Sequence, residues 1–229
     1  MDRTVARHEV VFLLDVDNTL LDNDRVIADL GQYLEREVGA QSRDRYWAVF
    51  EELRQELGYA DYLGALQRCR LEQPRNLRFL AVSRALIDYP FASRLLPGAL
   101  AVIERCRARG PAVLLSDGDA VFQPHKIERS GLGAAVGGNV LIYVHKELEL
   151  DDVEQRYPAD HYVLADDKLR ILDAVKRQWG RRVTTVFPRQ GHYATDAKAL
   201  AGYGDADLTI ASIDVLLDRD LDGLVAAAR

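Results

Sequence analysis

Asp15 and Asp17 stand two residues apart, directly behind the apolar run Val10 to Leu14, so a buried strand would run out into two carboxylates. Charged groups at the rim of a core cost desolvation unless something pairs with them. A divalent cation is the partner that such a pair invites, and an all-oxygen site suits Mg2+, which binds through one or two carboxylates, retained waters and substrate phosphate. In extended chain, positions i and i+2 project to the same side, so Asp15 and Asp17 are expected to address one ligand. An EF-hand is excluded: counted from Asp15, the sixth position is Leu20 instead of Gly and the twelfth is Val26 instead of Glu.

Further apolar runs end in residues of related chemistry. Ser116 follows Ala112 to Leu115, Lys146 comes two residues after Val144, and Asp166 and Asp167 follow Tyr162 to Ala165. In open α/β sheets, ligands bind beyond the carboxyl ends of the strands, so these residues would converge on Asp15. Together they point to phosphoryl transfer. A carboxylate approaching a phosphate dianion meets like-charge repulsion, about 4 kcal/mol for one unit pair at about 4 Å and an effective dielectric near 20. A metal ion and a lysine remove that obstacle. The Ser116 hydroxyl and the backbone N–H groups of Asp117 and Gly118 would bind the equatorial phosphoryl oxygens. A second carboxylate beside the first can protonate the leaving oxygen and later activate water.

The elements that must hold these residues are legible in the hydrophobic pattern. Short apolar runs at Ala112 to Leu115, Val140 to Val144, Tyr162 to Leu164, Val183 to Phe187 and Leu208 to Ile210 alternate with amphipathic stretches, which predicts βαβ units on a parallel sheet. Connecting helices are expected at Ala99 to Arg109, Ala120 to Arg129, Lys146 to Arg156 and Leu169 to Trp179, with Gly110, Gly131 and Gly180 just beyond three of them. From Asp24 to about Tyr89 there is no strand-like run. Val26, Leu30, Tyr33 and Leu34 make one helical face, and Tyr46, Phe50, Leu53 and Leu57 another. The predicted fold is therefore α/β: a Rossmann-like parallel-sheet core over residues 1–22 and 90–229, with an all-helical cap over 23–89 inserted after the first strand. Entered and left near one point, such a cap can rock over the strand ends.

With 229 residues and 48% hydrophobic content, the chain can bury a substantial core. A formal net charge of −6 speaks against binding to nucleic acid or to a membrane surface, both of which need a basic footprint. No apolar stretch approaches the roughly 20 residues that span a bilayer, and the N-terminal run stops at Asp15, so a cytoplasmic location is expected. Cys69 and Cys106 lack the spacing of a zinc site or a disulfide framework and read as small buried residues.

Asp15-Val16-Asp17-Asn18-Thr19-Leu20, Leu115-Ser116-Asp117-Gly118, Lys146 and Ala165-Asp166-Asp167 resemble, in this order, the four motifs of the haloacid dehalogenase superfamily of phosphohydrolases. The resemblance covers nearly the whole chain, and a helical insertion between the first two motifs is similar to that superfamily's commonest cap. It implies that Asp15 is the nucleophile forming an aspartyl-phosphate, that Asp17 is the acid/base, that Ser116 binds phosphate, and that Lys146 neutralises both nucleophile and phosphate. It further implies Mg2+ held by the Asp15 carboxylate, the Asp17 backbone carbonyl and Asp166, with Asp167 orienting metal-bound water. Ala165 replaces the usual glycine before the fourth-motif aspartate, and Asn18 stands where Gly is commoner. True dehalogenases lack the second aspartate, so Asp17 argues against dehalogenation.

The implied activity is Mg2+-dependent hydrolysis of a small phosphorylated metabolite. A phosphomutase or phosphotransferase, or a non-catalytic phosphate- or partner-binding protein, are the alternatives. Lys126, the rival for the role of Lys146, is expected on the solvated face of an amphipathic helix from Gln123 to Leu132. In this superfamily cap residues usually select the substrate; Arg43, Arg45, Tyr46 and Trp47 are the candidates here, with packing the expected role of the two aromatics. No oligomeric state follows from the sequence.

Overall fold

Six parallel strands form a single sheet in the order β3-β2-β1-β4-β5-β6 in a computed structural model that describes residues 6–226. They are β1 (His8–Leu14), β2 (Ala112–Asp117), β3 (Val140–Tyr143), β4 (Ala159–Ala165), β5 (Val183–Pro188) and β6 (Leu208–Ile210), one for each apolar run in the sequence. Residues 1–5 and 227–229, assigned to the core by the sequence, lie outside the described residues.

The unbroken apolar character of β1 has a structural cause. As a central parallel strand it is covered on both faces, and its alternate residues feed two cores: Val10, Phe12 and Leu14 on one side, Val11 and Leu13 on the other. Between β1 and β2 lie four helices, α1 (Asn23–Val38), α2 (Ala40–Leu57), α3 (Tyr62–Glu72) and α4 (Arg78–Ile87). Asp22 caps α1 by accepting the Arg25 N–H, and Asp61 caps α3 by accepting the Gly64 N–H. Val26, Leu30 and Leu34 of α1 and Tyr46, Val49 and Leu53 of α2 are buried at helical spacing, whereas Phe50 and Leu57 are half-buried.

The remaining helices that matter for the site are α5 (Ala99–Arg107), α6 (Phe122–Ser130), α7 (Leu132–Ala135), α8 (Leu150–Arg156) and α9 (Leu169–Trp179). The helix expected over Lys146 to Arg156 is interrupted: Lys146–Leu148 form a single 3-10 turn and α8 begins only at Leu150. The turn is pinned because the Lys146 N–H donates to Asp117 Oδ1 at 2.9 Å, which sends its side chain into the sheet's end instead of along a helix.

From β1 the chain proceeds outward through β2 and β3, and from β4 outward the other way through β5 and β6. The reversal falls between β1 and β4, the crevice where open parallel sheets bind ligands. Their register pairs Leu14 with Ala165, and the Asp15 N–H donates to the Ala165 carbonyl at 3.0 Å. The residues that follow, Asp15 and Asp166, are thereby brought side by side from distant parts of the chain. No helix among the described residues is long and apolar enough to cross a membrane.

Candidate active site

Asp15, Asp166 and Asp167 are buried together, each offering a carboxylate oxygen within 4.8 Å of the others. Lys146 is wholly buried and joins two of them: its Nζ donates to Asp15 Oδ1 at 2.5 Å and lies 2.6 Å from Asp166 Oδ2. Asp166 Oδ1 accepts the Lys168 backbone N–H at 2.8 Å. Asp166 Oδ2 is ion-paired with Lys146 but, like Asp15 Oδ2 and both oxygens of Asp167, accepts no hydrogen bond. Burial first, then Asp166, pushes the Asp15 carboxyl up to about 6 against the pull of Lys146 and Lys168. Burial, then Asp15 and Asp166, also holds Asp167 well above the ordinary carboxylate range. Burial works against the charge on Lys146, but Asp15, Asp166 and Asp117 outweigh it and keep the ammonium protonated.

Unpartnered buried carboxylate oxygens are costly, and hard oxygen donors around one point are what a divalent ion needs. The residues present fit such an ion, with Asp167 presenting the freer oxygens. A pH-dependent stability follows. The folded pKa of Asp15 lies above its ordinary 3.8, so the folded form binds the extra proton between about 4 and 6. Stability from this group therefore falls as pH rises through that window, and the cost is fully present above it. Mg2+ at ten times its dissociation constant is expected to add about 1.4 kcal/mol at pH 7.5. That raises the melting temperature by roughly 3–6 °C. The increment should shrink at pH 5, where Asp15 carries a proton; equal shifts at the two pH values in differential scanning fluorimetry would contradict this account.

Asp17 is separated from this cluster. Its carboxylate is not among the three that converge on one point, so the two aspartates of the i, i+2 pair have different partners. Asp17 turns towards α6, where Lys126 Nζ donates to its Oδ1 at 2.8 Å and its Oδ2 at 3.0 Å, and Gln123 Nε2 donates to Oδ2 at 3.3 Å. Lys126 is accordingly not a solvated surface residue. It is fully buried, because Phe122, Lys126 and Ile127 share the inward face of α6, and its ammonium also reaches Asn23 Oδ1 at 3.1 Å. That i, i+4 spacing from Phe122 was the available signal.

Ser116 is buried at the end of β2 and accepts from Gln123 Nε2 at 2.8 Å. Gly118, expected to offer its N–H to a phosphate, instead donates it to the Tyr143 carbonyl at 2.9 Å. Its lack of a side chain serves packing: a Cβ there would lie 2.6 Å from Gln123 Cβ, so glycine lets Gln123 reach both Ser116 and Asp17. Asp117 is half-buried at the cleft and holds the Lys146 backbone through its carboxylate.

Asn18 occupies the left-handed region with φ 60°, which explains why glycine or asparagine belongs there. Its side chain exchanges hydrogen bonds with Asp24, at 3.0 and 3.1 Å, and Asp24 in turn accepts the His192 N–H at 2.7 Å. Gln190 donates to the Asn18 carbonyl at 2.9 Å. The segment after β5 is thus tied to the loop carrying Asp17 and to the start of α1.

A cleft of about 770 Å³ opens between these strand ends and the helices α1, α2 and α3. Asp17, Asp117, Asp167 and Lys168 border it from the sheet side, and Phe50, Arg54 and Tyr62 from the helices. The sequence candidates for selectivity lie elsewhere. Arg43 is paired with Glu35 and Asp44, and Arg45 with Glu52 and Glu72. Tyr46 is buried, donates to the Tyr62 carbonyl at 3.1 Å and packs edge-on against Trp47. Glu35 of α1 and Glu72 of α3 draw the two arginines across to the neighbouring helices, and α2 faces the cleft through Phe50 and Arg54 instead.

The chain belongs to the haloacid dehalogenase-like hydrolases. It is 62% identical, with a TM-score of 0.90, to a haloacid dehalogenase-like hydrolase of Burkholderia xenovorans LB400, covering 95% of this chain and 99% of that one. The HAD-hydrolase YfnB of Bacillus subtilis, solved bound to magnesium, shares the fold at 15% identity and TM-score 0.63, with 93% and 98% of the two chains covered. So does the L-2-haloacid dehalogenase of Xanthobacter autotrophicus, at 14% identity and TM-score 0.59 over 91% and 96%. No family model matches the chain, and no curated protein matches it.

Proposed function

We propose that this hydrolase cleaves a small phosphate monoester through an aspartyl-phosphate on Asp15. The observation that carries the reading is Asp17, a second carboxylate at the cleft, held by Lys126 and Gln123 apart from the acidic cluster that contains Asp15. Displacement of halide from carbon needs no proton donor for its leaving group, whereas an alkoxide leaving phosphorus does.

In the first half-reaction a carboxylate oxygen of Asp15 forms a bond to phosphorus as the bond from phosphorus to the ester oxygen breaks, and Asp17 gives its proton to that oxygen. In the second, Asp17 takes a proton from water as the water oxygen bonds to phosphorus. The bond from phosphorus to Asp15 then breaks and phosphate departs. Lys146 holds Asp15 and Asp166 in place throughout. Asp15, Asp166, Asp167 and the Asp17 backbone carbonyl would hold Mg2+, which when bound supplies positive charge that offsets the repulsion between Asp15 and the phosphate dianion. In this reading α1 to α4 act as a cap over residues 23–89, and Phe50, Arg54 and Tyr62 meet the substrate's alcohol portion.

The test is a paired assay of the purified protein with Mg2+: phosphate release from p-nitrophenyl phosphate and chloride release from L-2-chloropropionate. Phosphate release alone is expected. Chloride release without phosphate release would overturn the reading, and isomerisation of a sugar phosphate with little free phosphate would move it to a phosphomutase.

A further inference from the structure

A lysine ammonium has three N–H donors and accepts nothing, so the donors at this site can be counted. Lys146 donates to Asp15 Oδ1 at 2.5 Å and to the Leu115 carbonyl at 3.1 Å, and its ammonium is held in an ion pair 2.6 Å from Asp166 Oδ2. The donors of Lys126 meet both oxygens of Asp17 and Asn23 Oδ1. Neither has a donor to spare for a substrate. The two arginines bordering the cleft are also engaged, Arg54 with Glu51 at 2.7 Å and Arg170 with the buried Glu147.

Lys168 differs. Its backbone N–H is fixed on Asp166 Oδ1 at 2.8 Å, which sets it immediately after the acidic pair, and its half-buried side chain borders the cleft. Among the described residues its ammonium forms no hydrogen bond or ion pair; it lies over the Tyr193 ring at 5.4 Å. Lys168 therefore brings an uncommitted ammonium to the cleft beside Asp167.

We infer that Lys168 is the residue that binds the phosphoryl oxygens of the substrate, Lys146 being reserved for the nucleophile. This rests on the phosphohydrolase reading and deepens it: the two roles that the family resemblance gives to one lysine are divided between two. The division has a physical reason. A lysine buried among three carboxylates cannot follow a phosphate that enters and leaves, whereas one at the cleft with free donors can.

The experiment measures inhibition by inorganic phosphate, turnover of p-nitrophenyl phosphate and Mg2+ affinity for the wild type, Lys168→Met and Lys168→Arg. One charge-assisted hydrogen bond is worth about 10- to 100-fold in affinity, so Lys168→Met is expected to raise the phosphate inhibition constant and KM by about that factor. Lys168→Arg should restore most of it. Mg2+ affinity should stay unchanged or tighten in Lys168→Met, because a cation has left the neighbourhood of the carboxylates. Unchanged phosphate inhibition and KM in Lys168→Met would overturn the inference while leaving the phosphohydrolase reading standing. Parallel loss of phosphate and Mg2+ binding would also overturn it, by marking a structural role. A wild type that neither turns over p-nitrophenyl phosphate nor binds phosphate would remove the reading itself.

Discussion

Asp15→Asn is expected to lower phosphate release from p-nitrophenyl phosphate by about a thousandfold or more, the typical cost of removing a nucleophile that acts with its partners. The substitution is nearly isosteric, and the amide oxygen can still accept from Lys146, so the cluster keeps its shape. Folding should survive. Burial already pushes the Asp15 carboxyl up to about 6, which means the folded protein holds its charge at a cost near neutral pH. Removing that charge should leave the melting temperature of the metal-free protein unchanged or raised at pH 7.5. Loss of turnover with retained stability is the expected pair of results; wild-type turnover would exclude Asp15 as nucleophile.

Lys146→Met is the second large effect, and it reaches stability as well as activity. The side chain is fully buried between Asp15 and Asp166, so its removal leaves these two carboxylates facing each other, beside the buried Asp167, without the ammonium that pairs with both. Breaking a buried pair by deleting one partner typically costs about 3–5 kcal/mol. For a chain of this size that corresponds to a melting temperature lower by roughly 6–20 °C. The loss should shrink as pH falls, because protonating the carboxylates removes the repulsion, and Mg2+ should recover part of it by replacing the missing positive charge. Urea unfolding at pH 5 and 7.5, with and without Mg2+, measures all three. An unchanged midpoint at pH 7.5 would mean that Lys146 does not neutralise the cluster.

Much of this was readable from the chain because burial writes itself into sequence. A parallel strand covered on both faces must be apolar throughout, and Val10 to Leu14 is; each such run became a strand, and the polar residue after it fell at the sheet's carboxyl edge. Periodicity reports which face is buried, however, and says nothing about which polar partner waits there. Lys126 sits at the inward spacing of α6 but carries a charge, so a pattern of apolar residues assigns it to water; its counter-charge, Asp17, lies more than a hundred residues earlier. Lys168 was unreadable for the opposite reason. It follows two acidic residues that explain themselves, and only three-dimensional donor counting separates its free ammonium from the committed one of Lys146. The cleft walls were equally hidden, since Phe50, Tyr62 and Tyr193 meet only through the packing of the helices against the segment after β5.

Hydrolysis by this route turns on one covalent event at one carboxylate. The direct measurement is mass spectrometry of the peptide containing Asp15 after the protein, Mg2+ and p-nitrophenyl phosphate are mixed and quenched in acid during turnover. A single phosphoryl group on Asp15, absent in Asp15→Asn, is expected; steady phosphate release with no phosphorylated Asp15, or with the group on another residue, would rule out Asp15 as the nucleophile.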